Sequence, residues 1–80
     1  MSESRFDIVQ VKDKYYYITS REREGKYQTL VYPCSRYGEV REKKVVFSRE
    51  YPTETTMLLG HKILSYRLTH YMEGHFNEEN

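Results

Sequence analysis

The apolar residues change period once, near Tyr51-Pro52-Thr53-Glu54, and that change constrains the fold more than any other feature of the chain. Before it they come in short alternating runs, the period of a half-buried strand. After it they fall at positions 57, 58, 64, 68, 71 and 72, with 59, 63 and 66 widening the stripe. That is helical spacing over about four turns.

The strand candidates are Phe6 to Val11, Tyr15 to Ser20 and Tyr27 to Tyr32, built from β-branched and aromatic types. Lys12-Asp13-Lys14 is a polar break of hairpin length. The charged stretch Arg21–Gly25 ends on a glycine that can take a positive φ, which suits a second hairpin turn. Tyr27, Thr29 and Val31 share one face of the third strand, and Gln28, Leu30 and Tyr32 the other. Pro33 has no N–H to give, so it ends that strand or forces it to an edge. Ser35-Arg36-Tyr37-Gly38 reads as another turn. Val40 can open a fourth strand, whose surer part is Val45 to Ser48.

Thr53 is placed to cap a helix by accepting a bond from a free N–H of the first turn, and Glu54 suits the positive helix end. Gly74 suits the position just past its other end. Gly60, inside the pattern, costs about 1 kcal/mol relative to Ala, which points to a close approach between helix and sheet. Met57, His61, Leu64 and Leu68 are expected on the buried face, with His61 hydrogen-bonded. The expected fold class is α+β: an antiparallel meander of three to four strands, then one C-terminal helix packed on one sheet face. Residues 1–80 make a single domain, with an ordered core over about 5–74 and a short acidic tail at Asn77-Glu78-Glu79-Asn80.

Composition bears on what such a domain can meet. Nine Tyr and three Phe, with no Trp, put large rings with polar tips at sheet faces and edges, where they are good contact surface. The net charge of +1 exerts little pull on nucleic acid or membrane. Residues 21–50 hold eight Lys/Arg against five Asp/Glu, and residues 51–80 two against four. Acids and bases interleave, as in Arg21-Glu22-Arg23-Glu24, which is the pattern of a solvated surface. The one cysteine, Cys34, cannot form an internal disulfide, which favours a reducing compartment. Met1–Arg5 is followed by no apolar stretch of the secretory kind, and no run approaches the ~18 apolar residues that span a bilayer.

No catalytic residue, metal site or cofactor is expected. His61 and His70 are half a turn out of phase on a helix, and His75 lies past Gly74, so the imidazoles do not converge. Cys34 lacks an identifiable activating base and reads as a packed or exposed thiol. The carboxylates sit in charged turns and the tail, and no Gly-rich phosphate loop is present. Tyr15-Tyr16-Tyr17 beside Lys12, Lys14 and Arg21 could stack nucleobases. The competing reading packs alternate rings under the helix and leaves the middle one, Tyr16, on the outer face.

Three segments carry a resemblance: Tyr27-Gln28-Thr29-Leu30-Val31-Tyr32-Pro33, the turn Tyr37-Gly38-Glu39-Val40, and Tyr51, Thr53, Gly60, His61, Ile63 and Leu64. Over residues 27–64 the chain resembles a group of small accessory proteins of tailed phages and prophages. These carry an aromatic-x-T-L-V-Y-P strand and a Y-x-T…G-H helix motif. Pro52 and the Met57-Leu58-Leu59 run depart from the usual Glu-rich, Ala-containing spacing. The resemblance implies synthesis in a bacterial cytoplasm and assigns no catalytic residue. By analogy of class it implies action by binding a host or phage protein.

The expectation is therefore a non-enzymatic protein-binding module whose partner is a host or phage protein, or a second copy in a homodimer. Its candidate contact surface is Tyr15, Tyr16, Tyr17, Tyr27, Tyr32 and Tyr37, with Tyr16 foremost. Thr53, Gly60 and His61 are structural. The alternative is a small nucleic-acid-binding regulator using Lys12, Lys14, Arg36, Lys43 and Lys44.

Overall fold

A computed structural model describes residues 4–70. Four strands are followed by one helix: β1 (Arg5–Val11), β2 (Lys14–Arg23), β3 (Lys26–Cys34), β4 (Phe47–Tyr51) and α1 (Glu54–His70). The strands form one antiparallel sheet in the order β1-β2-β3-β4, and α1 lies across one face. The architecture is the α+β meander expected from the change of period.

Short turns set the pairing. Lys12-Asp13 joins β1 to β2, with Lys12 at φ 60° and its carbonyl accepting a bond from the Gln10 amide at 2.8 Å. Glu24-Gly25 joins β2 to β3 with both residues at positive φ, 54° and 80°. Two successive left-handed residues match the twist of an antiparallel pair, so β2 and β3 run right up to the turn. The charged residues Arg21, Glu22 and Arg23 are thus strand rather than loop. Pro33 stays within β3, beyond the last β3–β4 pair at Val31↔Phe47, where among the described residues β3 pairs with β2 alone.

The fourth strand differs from expectation. Val40 opens no strand, and residues 35–46 cross as a loop. Ser35 organises its start: its hydroxyl accepts from the N–H groups of Tyr37 and Glu39, both at 3.1 Å. Pairing begins at Phe47 rather than Val45 and reaches Tyr51, because Phe47, Arg49 and Tyr51 alternate toward the helix face opposite Val31, Thr29 and Tyr27.

Helix α1 starts where the cap predicts. Thr53 Oγ1 accepts the Thr56 N–H at 3.1 Å, and Thr56 Oγ1 accepts the Thr53 N–H at 3.2 Å, a reciprocal box that satisfies two end groups. Met57, His61 and Leu68 are buried and Leu64 is half-buried. Leu68, with Leu64 beside it, packs with Val9, Val11, Ile18 and Val31 from the sheet. Leu59, Ile63 and Tyr66, expected to widen the buried stripe, are exposed instead. Gly74, His75, the acidic tail and the helical positions 71 and 72 lie outside the described residues.

Candidate functional site

Register decides which rings are available. Val9 pairs with Tyr16 and is buried beneath α1, so Tyr16 also faces the helix, where it packs against the core. The expectation that Tyr16 is the outer ring is therefore corrected: Tyr15 and Tyr17 face outward. Side chains alternate, and Ile18 and Ser20, fully buried, fix the inner set as 16, 18 and 20. Tyr27 lies on the inner face as well, opposite Tyr51.

The outer face gathers the remaining candidates with two residues not foreseen. Ile8, Tyr17 and Tyr32 stand in register across three strands. Phe6 is 60% exposed and stacks on Tyr17 at 5.5 Å between ring centroids, while Ile8 is 42% exposed. Tyr15 neighbours Cys34 on the same face. The 35–46 loop reaches this face, since a Cβ on Gly38 would lie 2.5 Å from the Ile8 methyl. Next to that contact Tyr37 is 83% exposed, with the Arg36 guanidinium 5.6 Å from its ring centroid. Phe6 and Ile8 were legible as strand residues, but only pairing places them beside Tyr17.

The inner face holds a buried polar chain. His61 Nε2 lies 2.7 Å from Asp7 Oδ2, and His61 Nδ1 lies 2.6 Å from Ser20 Oγ. Ser20 Oγ is 2.5 Å from Thr29 Oγ1. An ionised carboxylate only accepts, so in the neutral imidazole Nε2–H donates to Asp7 and Nδ1 accepts from the Ser20 hydroxyl, which accepts from Thr29. Arg5 Nε, 3.7 Å from Asp7, closes the outer end at the surface. The trio resembles a nucleophile–base–acid relay in composition, but Ser20 and His61 have no exposed surface and the serine oxygen is spent on two neighbours. The chain fastens α1 to β1, β2 and β3. Both ring nitrogens of His61 are occupied, and His70, exposed, stacks on Tyr66 at 4.1 Å.

Gly60 makes the close approach its position implied. A Cβ there would fall 2.5 Å and 2.6 Å from Cζ and Cε1 of Tyr51, and against its hydroxyl. Tyr51 in turn carries the Arg49 guanidinium 5.5 Å from its ring centroid.

The basic candidates are only partly brought together. Lys14 and Arg36 line one shallow depression with Tyr15, but Asp13 lines it too. Lys12 sits in the first turn, and Lys43 and Lys44 are exposed in the 35–46 loop. Burial pushes the Cys34 thiol above its usual range, which favours thiol over thiolate. Among the described residues no helix is long and apolar enough to cross a membrane. Compared with family models, with curated proteins and with solved structures, the chain gives no match.

Proposed function

We propose that the chain is a non-enzymatic, phage-type accessory protein that works in the bacterial cytoplasm by binding another protein through the outer face of its sheet. The observation that carries this reading is the cluster of exposed Phe6 and Ile8 with the half-buried Tyr17 ring, on the sheet face that α1 does not cover. Contiguous exposed apolar surface on a small domain marks an interaction site. Aromatic rings with polar tips are the side chains that carry most binding energy at such sites.

The alternative, nucleic-acid binding, draws on Lys14, Tyr15 and Arg36 around their shared depression. Salt separates the two. Phosphate-based affinity falls steeply as salt rises, whereas burial of rings does not. Titration against random DNA and RNA at two salt concentrations, beside light scattering for self-association, tests the choice. The expected result is no salt-sensitive nucleic-acid binding. Micromolar binding that collapses with salt, and weakens on charge reversal at Lys43 and Lys44, would favour the alternative.

A further inference from the structure

Helix α1 lies closest over β1 and β2, and its offset leaves a groove of about 500 Å³ between the helix and β4, on the sheet face opposite the ring cluster. The groove has three properties. Its surface is apolar where it is open, with Leu59 55% and Ile63 46% exposed on the helix wall and Leu64 and Phe47 deeper in. Its charge among the described residues is of one sign: Arg49 lines it from β4 and Arg67 from α1, and none of the described lining residues is a carboxylate. Neither guanidinium forms an ion pair among the described residues. Its strand wall is an edge among the described residues, because β4 pairs there with β3 on one side and no described strand lies along the other.

The geometry points to a second binding site: the groove takes an extended peptide segment of a partner protein, added to the free edge of β4. Every second residue of an added strand faces the groove. Those positions carry aliphatic side chains, seated on Leu59 and Ile63, interspersed with carboxylates that meet Arg49 and Arg67. Guanidinium groups bind carboxylates in a fixed, forked geometry, so the acidic residues set register and direction. Gly60 belongs to this site through its neighbour. With no side chain of its own, it lets the Tyr51 ring lie against α1, and that ring holds the Arg49 guanidinium at the groove wall.

The probe is a fluorescein-labelled nonapeptide, Leu-Thr-Glu-Thr-Ile-Thr-Glu-Thr-Leu, beside a counterpart with Lys in place of both Glu. Fluorescence anisotropy with the full chain should show the acidic peptide binding about tenfold more tightly than the basic one, the effect of one good charge-assisted pair. Arg49→Glu with Arg67→Glu should invert that preference, and Ile63→Asp should weaken both peptides about tenfold. Arg67→Glu alone, at an exposed helix position, should abolish most of the preference and serves if the double variant melts early. Binding of neither peptide, equal binding of both, or a preference unmoved by the Arg67 change would overturn the assignment. Any of these would leave the outer-face reading untouched, because the two sites lie on opposite faces.

Discussion

Nε2 of His61 lies 2.7 Å from Oδ2 of Asp7, 54 positions earlier in the chain, and the contact ties the middle of α1 to the edge strand β1. Through Nδ1 the same ring reaches Ser20 and then Thr29, so one imidazole links the helix to three strands.

Removing that ring should be costly. His61→Ala leaves the Ser20 hydroxyl without its acceptor and opens a cavity at a site with no exposed surface, so a loss of about 3 kcal/mol is expected in urea unfolding. Ser20→Ala with Thr29→Val should cost less than the sum of the two single changes, because each single change orphans a group that the double change removes. Additive costs would show that the hydroxyls do not act as a chain.

Gly60→Ala should lower the melting temperature although Ala is the better helix former, with a net loss of about 1 kcal/mol from crowding Tyr51. In a Tyr51→Ala background the same change should become stabilising by about 1 kcal/mol. The change of sign is the signature. A substitution that stabilises in both backgrounds would place the Tyr51 ring elsewhere.

Much of this was legible in the sequence, and the failures in the sheet share one cause. The change of period gave the meander and the helix, and the Thr53 cap fixed the helix start. Met57, His61 and Leu68 could be placed because helical spacing selects the centre of a face, while the width of the stripe was drawn too broad at Leu59, Ile63 and Tyr66. The face of β2 could not be read in the same way. Three consecutive tyrosines carry no alternation, the inward set 16, 18 and 20 ends in a serine, and the outward set contains two tyrosines. Ser20 looks polar enough for solvent until His61 and Thr29 are seen to satisfy it. The apolar run Val45-Val46-Phe47 likewise drew the fourth strand too early, because β4 is an edge whose inner positions include Arg49. Partners across a sheet depend on register, and register is a property of two segments at once.

The corrected register makes its own prediction. Tyr16→Ala should destabilise the fold by about 2 kcal/mol or more, because its ring packs on the core, whereas Tyr17→Ser should cost about 1 kcal/mol or less. Equal costs, or the reverse order, would mean that the strand sits one residue out of the register described.

The second hairpin carries strain that can be relieved. Glu24 holds φ 54° beside Gly25 at φ 80°, a conformation that Asn adopts more readily than Glu. Glu24→Asn should stabilise by about 0.5 kcal/mol in thermal unfolding. A loss of stability would show that the Glu24 side chain makes a contact worth more than the backbone strain.

The central claim is that partners are bound by the rings of the outer sheet face. The most direct measurement is quantitative capture of proteins from bacterial lysate, combined with light scattering of the purified chain, for wild type, Phe6→Ser, Tyr17→Ser, and the Lys43→Glu/Lys44→Glu variant. Circular dichroism establishes that each variant is folded. The account predicts that one partner or the self-complex is lost with Phe6→Ser and with Tyr17→Ser and kept with the lysine reversals. Association that survives both outer-face changes but disappears with the lysine reversals would contradict it.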